Sequence, residues 1–94
     1  LAASACHILP VLLPAGTDRQ GVMAALKEQG IQTSVHYPPI HRFTYYQSLY
    51  PPGYDHGLPY TEEVAARELT LPLFPRLTSQ QVAEVAAALK SALI

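Results

Sequence analysis

The sequence predicts an α+β domain: a small, mainly antiparallel sheet of three to four strands with helices packed on one face. Three observations carry that reading. Short apolar or alternating segments of strand length recur at 6–13, 31–37 and 69–73. Two stretches with helical apolar spacing each open on a Thr followed three residues later by a Gln. The chain has 94 residues and 49% hydrophobic composition, enough for one modest core and no second domain, so residues 1–94 form a single unit.

Cys6–Leu13 is apolar, short, and ended by Pro14-Ala15-Gly16. Pro10 at its centre excludes a helix and places its own side at a sheet edge or bulge. Thr17-Asp18-Arg19-Gln20 reads as a capping box opening a helix over Thr17–Gln29. Val22, Met23 and Leu26 share its apolar face, and Gly30 stops it. From Ile31 to Tyr37, Ile31, Thr33, Val35 and Tyr37 alternate with Gln32, Ser34 and His36, the period of a half-buried strand. Pro38-Pro39 ends it, because neither proline can donate to a ladder. The stretch to Pro59 reads as a long loop with a helical turn at Thr44–Leu49, and so long a loop is usually functional. A helix capped by Thr61 is expected over Thr61–Glu68, then a strand over Leu69–Leu73. Thr78-Ser79-Gln80-Gln81 is a second capping box, and Val82, Val85, Ala86, Leu89 and Leu93 keep helical spacing to Leu93.

Composition excludes several classes of function. Net charge is −1, without a basic stripe or polybasic run, so nucleic acid and acidic lipid surfaces are not expected partners. The longest apolar run, Ile8–Pro14, is far short of a membrane span. One cysteine, Cys6, cannot form an internal disulfide, which fits a reducing, cytoplasmic setting. The opening Leu1-Ala2-Ala3-Ser4-Ala5 has neither an initiator Met nor a charged signal region and reads as cut from a longer chain. Charged residues are only 14%, low for a small domain, so part of the surface is expected to face another chain or domain.

The distribution of side chains is the functional signal. All six Tyr and three of the four His lie between His36 and Tyr60. Tyr and His combine contact area with hydrogen-bonding tips, which suits a ligand or partner surface; the alternative is a Pro-Tyr-rich loop that packs on a neighbouring domain. His36 and His41 with a solitary Cys6 fall short of a zinc ligand set. Ser34 and Ser48 lack the glycine-flanked elbow of a serine nucleophile, and Gly16 and Gly21 do not build a phosphate loop. His7 reads as a hydrogen-bonded structural histidine. Arg19 opposes the dipole of its helix, so it is either solvated or kept for a partner anion. Lys27 and Lys90, the only lysines, fall on polar helical faces and do not look like the desolvated amine of a Schiff base.

The segments His7-Ile8-Leu9-Pro10-Val11, Leu26–Thr33, His36-Tyr37-Pro38-Pro39-Ile40-His41, Leu58–Glu62, Leu71-Pro72-Leu73-Phe74-Pro75 and Leu77–Val82 occur in the order seen in a known family. Together they resemble the C-terminal, small domain of the DegT–DnrJ–StrS sugar aminotransferases, of fold type I. The resemblance implies a pyridoxal-phosphate-dependent transferase that moves an amino group, usually from glutamate, to a nucleotide-linked keto sugar, usually as a homodimer. The Schiff-base lysine, the partner of the pyridine nitrogen and most phosphate contacts belong in such enzymes to a large N-terminal domain, whose motifs this sequence lacks. No catalytic, cofactor-binding or metal residue is therefore expected here. The positions matching the family's substrate loop are His36, Tyr37 and His41, with Tyr45 and Tyr46 beside them, in a substrate-binding role. A regulatory or interaction module, or a member of the ketosugar dehydratase branch, is the alternative; the residue at the Schiff-base position of the parent protein separates them. Treatment of the 94-residue chain with pyridoxal phosphate and then borohydride is expected to give no stoichiometric labelling at Lys27 or Lys90, checked by peptide mass mapping.

Overall fold

The computed structural model describes residues 3–94; Leu1 and Ala2, which begin the opening segment discussed above, lie outside them. The order of elements is β1 (Leu9–Leu12), α1 (Arg19–Glu28), a 3-10 turn (Ile40–Arg42), α2 (Thr44–Ser48), α3 (Pro59–Arg67), β2 (Glu68–Leu71) and α4 (Ser79–Ala92). The class is α+β, with four α-helices and a two-stranded antiparallel sheet.

In that sheet Leu9 faces Leu71, Val11 faces Leu69 and Leu12 faces Glu68. On its other side β2 makes one bridge, where Thr70 and Ser34 exchange both backbone bonds at 2.8 and 3.2 Å. Because the backbone groups of Thr70 point to Ser34, Pro10 opposite it occupies a non-hydrogen-bonded position where its missing N–H costs nothing.

The expected strand over Ile31–Tyr37 is therefore reduced to Ser34, and a sheet of three to four strands does not form. Local chemistry explains both ends of the bridge. Extended one way, Gln32 would face Pro72, which has no N–H to donate. Extended the other way, His36 would face Glu68. The Glu68 carbonyl instead accepts from Arg19 at 3.2 Å, and the His36 amide donates to the Glu68 side chain at 2.9 Å. The same Pro72 ends β2 at Leu71, two residues before the expected limit of Leu73, and the strand starts one residue earlier, at Glu68.

Leu69 is fully buried and packs with Leu13, with Val22 and Leu26 of α1, and with Ala88 of α4. Both long helices thus cover the Leu69 side of the sheet. Burying each of Leu13, Leu26 and Leu69 contributes about 1.5–3 kcal/mol.

Helix ends follow the local hydrogen bonding. The Thr17 amide closes a turn onto the Pro14 carbonyl at 3.1 Å, so Asp18 becomes the N-cap of α1. Gln20 is then one position early and the Thr17–Gln20 capping box does not form. In α3 the first turn starts at Pro59, whose fixed φ suits that position, and Leu58 rather than Thr61 is the N-cap. The second box does form: the Gln81 amide donates to the Thr78 hydroxyl at 3.1 Å and the Thr78 amide to the Gln81 side-chain oxygen at 2.9 Å. Arg19 is neither solvated nor free for a partner anion. Its guanidinium reaches the C-terminal end of α3 and donates to the carbonyls of Ala65 (2.5 Å) and Glu68 (3.2 Å), where the helix dipole favours a cation.

The chain exposes 7270 Å², against about 5,300 Å² for a self-contained protein of this mass. Its radius of gyration is 16.1 Å, against about 12 Å for a compact domain of this length. Many large apolar side chains stay exposed, Leu12, Ile40, Val82 and Phe74 among them. Leu9, Leu71 and Leu77 with Val82, Val85 and Leu89 of α4 line an open hollow of about 420 Å³.

Gly30 closes α1 with φ +78°, its amide bonded to the Lys27 carbonyl at 2.9 Å while the Ile31 amide reaches Leu26 at 2.9 Å. That pair of bonds is a Schellman motif and requires a left-handed residue. Gly30→Ala is expected to lower stability by about 1–2 kcal/mol, read from the urea unfolding midpoint.

Candidate functional site

β2 alternates strictly. Leu69 enters the core while Glu68 and Thr70 face the other way, both only 6% exposed. Ser34 faces Thr70 across the bridge, and two residues on, His36 returns to the same side. Thr70 donates its hydroxyl to Glu68 Oε1 at 2.6 Å. Thr70 Oγ1 also lies 2.8 Å from His36 Nδ1, and Ser34 Oγ sits 3.4 Å from that same nitrogen. A buried carboxylate is costly unless every lone pair that matters is met, and here one oxygen takes the hydroxyl and the other the His36 amide. The Tyr37 ring stands edge-on to that of His36, with centroids 4.6 Å apart.

A second cluster is built where Pro38-Pro39 delivers the chain into the 3-10 turn against α3. Glu62 of α3 accepts from Arg42 Nε at 2.9 Å and from an Arg42 terminal nitrogen at 2.5 Å, and it bonds His41 Nε2 through Oε1. Arg42 first, then His41, hold the Glu62 carboxyl down to about 2 from its ordinary 4.5. The same pairing raises the Arg42 guanidinium. His41, its side chain 13% exposed, is thus committed to Glu62 through Nε2. Its ring lies 5.2 Å from that of His56, which in turn touches Tyr50 and Tyr54, themselves stacked at 4.7 Å.

Two shallow hollows lie side by side. One, of about 490 Å³, is lined by Tyr37, Ile40, His41, Tyr46, Tyr50 and His56 among others. The other, of about 380 Å³, is bordered by His36, Tyr37, Tyr60, Thr61 and Glu68. Tyr37, Pro39 and Thr61 belong to both, so Tyr37 stands on the ridge between them, 63% exposed. Of the sequence-selected residues, the fold gathers His36, Tyr37, His41 and Tyr46 around these hollows. Tyr45, 67% exposed, lines neither; its ring stands edge-on to that of Tyr46 at 5.2 Å.

Sequence reading missed Glu68 and Thr70, although the alternation Glu-Leu-Thr-Leu puts both on one strand face. It placed Glu68 in a helix. Glu62 and Arg42 were also missed, since nothing in their spacing of 20 residues announces the pair. Tyr50, Tyr54 and His56 fell within the crowded segment without being singled out. His7 is exposed, precedes β1, and makes no side-chain hydrogen bond among the described residues, so it is not the bonded structural histidine expected.

As for groups the chain could hold, no set of three His, Cys, Asp or Glu suited to a metal occurs among the described residues. Lys27 and Lys90 are both exposed, on α1 and α4, and neither lines the aromatic hollows. These residues do not fit as the covalent anchor of pyridoxal phosphate, which needs a desolvated amine. What the arrangement offers is neutral hydrogen bonding and ring contact, suited to hydroxyls, a phosphate or a planar base. No helix among the described residues is long and apolar enough to cross a membrane.

Comparison with known proteins agrees along nearly the whole chain. The model of the DegT/DnrJ/EryC1/StrS aminotransferase family matches residues 2–90. The chain is 36% identical over 90 residues to the uncharacterised protein MJ1066 of Methanocaldococcus jannaschii, covering 92% of this chain and 23% of that protein. It is similar to PseC of Helicobacter pylori, an aminotransferase involved in the biosynthesis of pseudoaminic acid, at 25% identity and a TM-score of 0.78 over 93% of this chain and 23% of PseC. Spr1654 of Streptococcus pneumoniae, described as a candidate sugar aminotransferase and solved in a PMP form, matches at 26% identity and a TM-score of 0.80, over 93% and 22%. The chain spans under a quarter of the length of each of these proteins.

The Glu62 pair makes a pH test. Folding lowers the value of this carboxyl, so its contribution to stability is complete above about 4.5 and is lost as pH falls through about 2. The difference in thermal midpoint between the parent chain and Glu62→Gln is expected to be constant above pH 5 and to shrink steadily below pH 4.

Proposed function

Because the chain belongs to the DegT/DnrJ/EryC1/StrS aminotransferase family, we propose that it is the substrate-facing small domain of a larger aminotransferase, one that moves an amino group from glutamate to a nucleotide-linked keto sugar. In this reading a large N-terminal domain of the same protein holds pyridoxal phosphate and its Schiff-base lysine, and the whole works as a homodimer in the cytoplasm. The observation that carries the reading is the ridge of Tyr37 between two hollows, with the tyrosines of residues 36–60 exposed and none of the aromatic or imidazole groups there in the apolar core. The excess exposed area and the open apolar hollow beside α4 support the presence of a covering domain.

Roles follow from how each side chain is held. Tyr37 and Tyr46 offer phenols that both donate and accept, while Tyr45, which lines neither hollow, would reach only a ligand that extends beyond them. His36 adds an imidazole beside Tyr37. His41, occupied by Glu62, contributes ring surface to the hollow and fixes the turn that carries Pro39 and Ile40. Pro38 and Pro39 stiffen this segment, so little freedom is lost when a ligand docks.

The test uses the full-length protein that carries this chain. Tyr37→Phe removes one neutral hydroxyl and is expected to raise KM for the nucleotide sugar about two- to twelve-fold, the worth of one hydrogen bond of about 0.5–1.5 kcal/mol. The half-reaction with glutamate alone, followed by stopped-flow absorbance, is expected to keep its rate. Unchanged sugar kinetics in Tyr37→Phe would reduce the loop to a packing element.

A further inference from the structure

We propose that Glu68 and Thr70 are positioning residues that hold His36 as its Nδ1–H tautomer, so that Nε2 is presented as a hydrogen-bond acceptor to a hydroxyl of the sugar. What the ring meets rests on the function proposed above; the tautomer rests on the hydrogen bonds alone. An ionised carboxylate has no proton to give. The single hydroxyl proton of Thr70 is therefore spent on Glu68 Oε1 at 2.6 Å, and Thr70 Oγ1 is left only lone pairs for its other neighbour. That neighbour is His36 Nδ1 at 2.8 Å, which must be the donor. The network thus decides which ring nitrogen carries the proton of the neutral imidazole. Ser34 Oγ, at 3.4 Å from Nδ1, is a longer contact and can accept from the same N–H.

The order of the relay is set by burial. Glu68 and Thr70 are each 6% exposed, so water does not compete for the carboxylate or the hydroxyl. The second Glu68 oxygen holds the His36 amide at 2.9 Å, which anchors the backbone of the residue whose ring the first oxygen orients through Thr70. Nε2 has no hydrogen-bond partner among the described residues, and the ring borders the hollow it shares with Tyr37, Tyr60 and Thr61. An acceptor at that rim selects a ligand with a donor. A hydroxyl qualifies; a phosphate oxygen, which only accepts, does not.

The experiment compares Thr70→Val, Thr70→Ser and His36→Ala with the parent in the full-length protein. One readout is the nitrogen NMR spectrum of histidine-labelled protein, with the His36 signals identified by their loss in His36→Ala; the other is KM against kcat for the nucleotide sugar. The parent and Thr70→Ser are expected to show a protonated Nδ1 and a lone pair on Nε2. Thr70→Val is expected to move the ring toward the Nε2–H form and to raise KM about two- to twelve-fold, as for one lost hydrogen bond, with the glutamate half-reaction unchanged. A protonated Nε2 in the neutral ring of the parent overturns the proposal without need of any variant. A rise in KM for His36→Ala with none for Thr70→Val also overturns it, and leaves the substrate-facing role of His36 standing. If the parent shows protonated Nδ1 that Thr70→Val shifts, yet His36→Ala leaves KM unchanged, the positioning holds and the substrate reading at His36 fails.

Discussion

A carboxylate kept out of water has to be answered by donors, and the Glu68 side chain organises its surroundings on that requirement. It takes the His36 amide that a third strand would have used for its ladder, and it takes the Thr70 hydroxyl from within its own strand. The backbone carbonyl of the same residue is met by Arg19 from α1. One residue therefore ties the helix on one side of the sheet to the segment entering the aromatic loop on the other. The neighbouring Leu69 closes the core against Leu13, Val22, Leu26 and Ala88. With only four residues, β2 separates an apolar layer from a polar one, and the site grows from the polar one.

The aromatic loop depends on a second answered charge. Glu62, on a helix that starts at Pro59, gathers Arg42 and His41 and so fastens the 3-10 turn to α3. Without such a tie the residues between Pro38 and Leu58 would have little to hold them, since none of the residues of the turn or of α2 is buried. The pair is exposed enough that its value lies in geometry more than in stability. It aligns Pro39 and Ile40 along the hollow whose other walls are Tyr46, Tyr50 and His56.

These ties explain a molecule with a small core and a large exposed surface. Among the described residues five form the buried apolar cluster, too few to cover the faces of four helices, and Leu9, Val82 and Phe74 remain open to solvent. Low charge along the sequence and excess area in the structure are the same fact seen twice. Both fit a unit that belongs to an assembly larger than itself, as do relatives of which it spans under a quarter.

Periodicity and punctuation in the sequence were sufficient for the two long helices, for the box at Thr78, for the stop at Gly30 and for Val22 and Leu26 of the core; on α4 the buried residue is Ala88, outside the expected face, while Val82 and Leu93 stay exposed. Such signals act within a few residues, and nothing distant competes with them. The crowding of Tyr and His between His36 and Tyr60 was equally plain, as was the family order of the short motifs. The fate of Ile31–Tyr37 was decided elsewhere, by Glu68, 32 residues from His36, and by Pro72 beyond it, because a strand exists only if its partner offers free backbone groups. Arg19 found its carbonyls, and His41 its carboxylate, only once α3 had packed beside them. Hydrogen bonds between residues far apart in the chain leave no period in the sequence. The tertiary structure alone determined which imidazole is occupied, which is oriented, and where Tyr37 stands between the two hollows.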